Sequence, residues 1–133
     1  MDLKLLRHLH RLGVNRISMG MQSACDEELR RVHRPHDFQQ VADGVGIVRQ
    51  ARIHNLNLDL IYGLPGQTEE SWRETVERAI ALQPEHLSCY GLTVEAGTPL
   101  ANRVAQGEQL PDDDAQAERY LWTVQRLAQA GYD

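Results

Sequence analysis

Two short segments alternate with the two-residue period of a β-strand, and each stands between helical patterns. This arrangement constrains the fold more than any other feature of the chain. In RISMGMQ, residues 16–22, Ile17, Met19 and Met21 fall on one face and Ser18, Gly20 and Gln22 on the other. In residues 56–62, Leu56, Leu58, Leu60 and Tyr62 face one way, and Asn57, Asp59 and Ile61 the other. Before the first strand, Leu3, Leu6, Leu9 and Leu12 recur at helical spacing, with Gly13 as a stop signal. Between the strands a short helix is expected over about 26–32, capped by Asp26 or Ser23, and a longer one from Asp37 to about Ile53. Gly44 and Gly46 weaken that longer helix by about 1 kcal/mol each relative to Ala and are expected to admit close approach to a sheet. Thr68 caps a third helix running to about Leu82, with Glu69 and Glu70 in the first turn, where the helix dipole favours negative charge. Pro84 ends it. A third strand over about 86–93, a short helix near 99–106 and a last helix over about 112–130, closed by Gly131, complete the pattern.

Strict alternation of helix and strand demands parallel strands joined by helical crossovers, hence an α/β sheet or barrel. In a barrel one strand face packs under the outer helices and the other points into the lumen. The apolar sets Ile17/Met19/Met21 and Leu58/Leu60/Tyr62 suit the helix side. Gln22 and Asp59 then face inward near the C-terminal ends of their strands, where barrel enzymes place their sites. Two readings of Asp59 stand on this pattern: a carboxylate facing a cavity at the barrel mouth, or one that caps a nearby helix or pairs with an Arg.

The remaining chemistry is sparse. A net charge of −5 and an aromatic content of 5% leave no footprint for nucleic acid. The apolar runs fall short of the roughly 18 residues that a membrane span needs, and the N-terminus reads as an amphipathic helix, not a charged start followed by an apolar run. A cytoplasmic protein is expected. Cys25 and Cys89 are 64 positions apart, without Cys-x-x-Cys spacing, and read as a loop thiol and a core residue. His8 and His10, two apart on a helix, cannot share a face. His33 and His36 have no carboxylate or Cys at zinc spacing. The GLPG turn lacks the Gly-Lys-Ser/Thr ending of a phosphate loop, and Asp112–Asp114 reads as a helix start, not a calcium loop.

Four ordered segments add to this. GVNRISMGMQS (13–23), NLDLIYGLPGQT (57–68), PEHLSCYGLTVEAGTPL (84–100) and the stretch from LPDDD to AGYD (110–133) resemble the radical S-adenosylmethionine (SAM) family of oxygen-independent coproporphyrinogen III oxidases and the related heme chaperones, HemW. The resemblance spans nearly the whole chain. It implies a single partial domain over residues 1–133, the C-terminal half of a partial (β/α)6 barrel, with about three parallel strands and outer helices. It implies that Gln22, Arg34 and Asp59 contact SAM, and that Ile61 and Thr93 lie near the adenine. Their chemistry suits those roles: a carboxylate accepts from ribose hydroxyls or an ammonium, an amide serves ribose oxygens or the methionine end, and an Arg fork suits a carboxylate. In the family a [4Fe-4S] cluster cleaves SAM reductively to a 5′-deoxyadenosyl radical, and the partners are heme or porphyrin.

The chain departs from the family pattern in instructive ways. The Cys-x3-Cys-x2-Cys loop that ligates the cluster is missing, and two distant cysteines cannot replace it. Ala24 stands where the family carries an aromatic, and His33 where it carries a Gly before the Arg. The segments SCYGLTVEAGTPL and LPDDD to AGYD resemble the chaperone branch more. The expectation is therefore part of a radical SAM protein of heme or porphyrin metabolism that contributes half of a SAM pocket, with no cluster ligands of its own. The open sheet edges imply self-association. A non-catalytic remnant, or an unrelated α/β binding module sharing the turn motif, are the alternatives.

Overall fold

A computed structural model describes residues 2–108 and 110–133. The elements follow in the order α1 (Leu3–Arg11), β1 (Arg16–Gln22), α2 (Asp26–Arg31), α3 (Phe38–Gln50), β2 (Asn55–Tyr62), α4 (Glu69–Ala81), β3 (His86–Gly91), α5 (Pro99–Ala105) and α6 (Asp113–Gln129). The sheet has three strands in the order β1-β2-β3, both pairs parallel. Adjacent strands in sequence are adjacent in space, each step made through helices.

The alternation of the strands decides the two faces. Leu56, Leu58, Leu60 and Met21 are fully buried beneath the helices, in one cluster with Val41, Val45, Val48, Trp72 and Val76. Ile17, Met19 and Tyr62 pack against the same cluster with part of their surface exposed. The register pairs Met19 with Leu58 and Gly20 with Asp59, so the polar set of each strand lies on the opposite face. Burying a side chain such as Leu58 stabilises the fold by about 1.5–3 kcal/mol, and the helix side of the sheet gathers most of such contacts.

Helix ends follow local chemistry. Asp37 and Gln40 form a reciprocal capping box at the start of α3, and Thr68 and Ser71 form another at α4. The start of α2 differs from expectation. Its N-cap is Cys25, which makes no side-chain cap bond. Asp26 Oδ1 accepts instead from the backbone N–H of Phe38 at 3.0 Å, and Ser23 Oγ accepts from Cys25 N–H while donating to Glu28. The α3 pattern also ends before Ile53, at Gln50, with Ala51 as cap and Arg52 in the left-handed region. Gly46 makes no close approach: a Cβ there would meet nothing within 4 Å. Leu12 lies outside the apolar face that Leu3, Leu6 and Leu9 share and is 68% exposed. No helix among the described residues is long and apolar enough to cross a membrane.

Candidate functional site

At the C-terminal end of the sheet, β1 does not finish as a regular strand. Its register with β2 slips between Gly20 and Gln22, and Gln22 takes a positive φ of 67°. The Ser23 N–H donates to the Met21 carbonyl at 2.8 Å, closing a three-residue turn centred on Gln22. This re-aims the Gln22 side chain. A Cβ on Gly20 would lie 2.8 Å from Gln22 Nε2, so the amide folds back over the lumen face of Gly20. Gly20 is the residue that pairs with Asp59, so Gln22 and Asp59 come side by side through a glycine that has no side chain to part them.

Asp59 is held by its own strand. Asn57 Nδ2 donates to Asp59 Oδ1 at 2.8 Å and to Ser18 Oγ at 2.9 Å, while Asn57 Oδ1 accepts from Ser88 Oγ at 3.0 Å. Asn57 is 2% exposed and links all three strands across the lumen face. Among the described residues Asp59 caps no helix and forms no ion pair, and its Oδ2 accepts no hydrogen bond.

Arg34, Ile61 and Thr93 meet elsewhere on the same end of the sheet. They line one cavity of about 310 Å³, together with Leu64, Leu92 and Arg103. Ile61 follows Asp59 by two residues on β2 and shares its face of the sheet. Gln22 and Asp59 are not in its lining. Thr93 lies two residues past the end of β3, which closes at Gly91. Arg34 is exposed and sits just after α2. The residue before it, His33, takes φ +57°, the left-handed backbone in which a Gly is most at ease, so the loop keeps that geometry with a histidine in it.

The turn that follows β2 is fixed from beneath. Gln67 Oε1 accepts from Gly63 N–H at 2.7 Å, and Gln67 Nε2 donates to the Ile61 carbonyl at 3.2 Å. Arg119 Nη2, from α6, donates to the Gln67 carbonyl at 3.1 Å. Glu28, 4% exposed, accepts from Ser23 Oγ at 2.8 Å and from Ser71 Oγ at 2.7 Å. Burial pushes the Arg119 guanidinium below its ordinary range, against the charges of Glu28, Glu69 and Asp112. None of Asn57, Gln67, Glu28 or Arg119 was singled out from the sequence. Asn57 shares a strand face with Asp59 and could have been; the other three are separated by 39 and 52 positions, and no spacing rule connects them.

No group of three His, Cys, Asp or Glu among the described residues could hold a metal ion. Cys89 packs against the core, on the helix side of β3, and burial raises its thiol to about 11. Cys25 is half-buried at the start of α2. The two thiols do not fit an iron–sulfur cluster, whose ligands must be clustered thiolates.

Comparison with solved structures places the fold. The structure aligns over its full length with 31% of the Escherichia coli coproporphyrinogen III oxidase HemN, a radical SAM enzyme, with a TM-score of 0.88 and 33% identity. The three-stranded α/β unit is thus a part of the radical SAM fold. The radical SAM superfamily model matches residues 1–79, and the chain belongs to that superfamily. Among curated relatives, the heme chaperone HemW of Haemophilus influenzae is 40% identical over 120 residues, 90% of this chain and 30% of the relative. The oxygen-independent coproporphyrinogen III oxidase of Pseudomonas aeruginosa is 36% identical over 124 residues, 93% of this chain and 27% of the relative. The chain spans about a third of the length of the curated relatives it matches.

Proposed function

We propose that this chain supplies one side of a SAM pocket in a radical SAM protein of heme or porphyrin metabolism. The observation that carries the reading is that Arg34, Ile61 and Thr93 line one cavity at an end of a parallel sheet whose neighbouring strand positions hold Asp59 and, folded over Gly20, Gln22. Bound there, SAM would bring a sulfonium, a ribose, an adenine and an amino acid end. The free Oδ2 of Asp59 accepts from hydroxyls or an ammonium, the Gln22 amide both donates and accepts, and the Arg34 fork suits a carboxylate. Ile61 and Thr93 offer the adenine an apolar wall with a hydroxyl at its rim.

The cluster finds no ligands here. Any cluster that serves this pocket is therefore held by residues outside this chain, and no step of its chemistry is assigned to these side chains. Heme or porphyrin as the partner of the whole protein, a cytoplasmic setting and association through the open edges of β1 and β3 belong to the same proposal. The HemW relatives and the segments at 88–100 and 110–133 favour the chaperone branch.

The test is Asp59→Asn, which keeps shape and removes charge. Losing a hydrogen bond to a charged group costs about 1.5–3 kcal/mol, or roughly a ten- to hundredfold weaker SAM affinity. Titration of SAM followed by NMR, which reads weak binding, is paired with a thermal melt. Reduced affinity at unchanged stability supports the site. Unchanged affinity with a large loss of stability would make Asp59 a structural residue and remove the site.

A further inference from the structure

His36 has no role in the pocket as described, and the chemistry of zinc gives it none. Its ring nevertheless reaches the turn in which Gln22 takes its positive φ. Nε2 donates to the Met21 carbonyl at 2.9 Å. That carbonyl is the one that closes the turn around Gln22 by accepting the Ser23 N–H. A three-residue turn of positive φ is a rare form, and a residue with a side chain keeps it only where its surroundings hold it. Met21 itself is fully buried, which anchors one end of the turn, and His36 ties down the carbonyl from the other side.

The position of His36 in the chain gives this bond a second consequence. It stands two residues after Arg34, with Pro35 between them. Pro35 has a fixed φ and no N–H, so Arg34 and His36 are joined by a stiff link. One hydrogen bond therefore connects the loop that carries Arg34 to the turn that carries Gln22. These two residues come from different segments and share no direct bond among the described residues.

We propose that His36 is a positioning residue that sets the placement of Gln22 relative to Arg34 and so shapes the pocket for SAM; this rests on the reading of that pocket given above. The loop has another anchor, the Phe38 N–H to Asp26 Oδ1 bond at 3.0 Å, and α3 begins with its own capping box. Replacing His36 should therefore loosen the Gln22 turn without unfolding the loop.

The experiment uses the chain with His36→Leu, which fills similar space but cannot donate, and His36→Gln, whose amide can place an N–H where Nε2 lies. SAM affinity is measured by NMR titration, the turn by hydrogen exchange at the Ser23 amide without ligand, and folding by thermal melt. His36→Leu is expected to bind SAM at least tenfold more weakly and to exchange Ser23 faster, at a nearly unchanged melting temperature. His36→Gln is expected to restore most of both. Equal affinity of His36→Leu and the parent chain would overturn the proposal, as would a loss in both variants that tracks melting temperature alone. Should the parent chain itself show no SAM binding, as one side of a pocket whose cluster is held elsewhere allows, Ser23 exchange decides the proposal. Faster exchange in His36→Leu, restored by His36→Gln, sustains the positioning of the turn; unchanged exchange refutes it.

Discussion

Asn57→Asp changes one atom in the most buried polar residue of the lumen face. Nδ2, which donates to Asp59 Oδ1 at 2.8 Å, becomes an acceptor facing an acceptor. With both carboxylates ionised, two charges about 4 Å apart at an effective dielectric of about 20 repel by about 4 kcal/mol, and the charge-assisted bond, about 1.5–3 kcal/mol, is lost as well. The pair has an escape. By holding one proton it recovers a donor and cancels the repulsion, as closely spaced carboxylates do. At pH 7 keeping that proton on a group of ordinary pKa about 3.9 costs about 1.36 kcal/mol per pH unit, or about 4 kcal/mol in all. The cost of the substitution is therefore capped near 4 kcal/mol at pH 7 and falls toward about 1 kcal/mol or less at pH 4. Between those values the folded variant binds about one more proton than its unfolded chain, so its stability must fall as pH rises. Urea unfolding of parent and variant from pH 4 to 7 measures the difference, whose slope should approach about 1.4 kcal/mol per pH unit. A difference that is flat with pH, or below about 1 kcal/mol at pH 7, would show that Asn57 and Asp59 are not in contact and would undo the assigned geometry.

Two further outcomes follow from particular residues. Gly46→Ala should stabilise the chain by about 1 kcal/mol, because the position is inside α3, its φ is not positive and a Cβ there meets nothing; a lowered urea midpoint would contradict this. Glu85 accepts from Leu56 N–H and from Arg49 at 2.9 Å each. Burial pushes its carboxyl up, but the Arg49 bond, the Leu56 N–H and the Arg49 charge together hold it below the ordinary 4.5. A depressed folded value means stability that is present above that range and lost as pH falls through the lower folded value. Glu85→Gln should therefore be less stable than the parent at neutral pH and draw level in acid, as read by paired melts; a gap that persists in acid would assign the loss to packing.

How much of this was legible in the sequence differs between the faces of the sheet. The helix side could be read from alternation alone, because Leu56, Leu58 and Leu60 have no other way to leave water. The same alternation placed Gln22, Asp59 and Ile61 on the lumen face, and family resemblance added Arg34 and Thr93 and the expectation of a role for all five. The details that aim those residues could not be read. The slip after Gly20 depends on a carbonyl that two donors share, one of them fifteen positions away. The cap of α2 failed because Asp26, the right residue for it, is drawn off by Phe38 N–H, a backbone donor twelve positions on. Such competitions are settled by tertiary geometry, and local propensity does not see them.

Taken together, these bonds divide the labour at the site. Packing of the sheet lies under the helices, where Trp72 is buried with its Nε1 donating to Thr123 at 2.8 Å. The strand ends, by contrast, are held through their backbones: Met21 by His36, Ile61 and Gly63 by Gln67, and Gln67 in turn by Arg119. A side chain that fixes a backbone carbonyl or N–H is spent on that task and leaves the neighbouring side chains unencumbered. Gln22 and Arg34 make no side-chain hydrogen bond to protein among the described residues, and Asp59 makes one with half of its carboxylate. In the pocket proposed above, such an arrangement would keep the polar groups open for a ligand while their positions are set by residues around them. It follows that changes at Gln22, Arg34 or Asp59 should alter binding more than folding, whereas changes at Gln67 or Arg119, buried and bonded to the turn, should alter folding first.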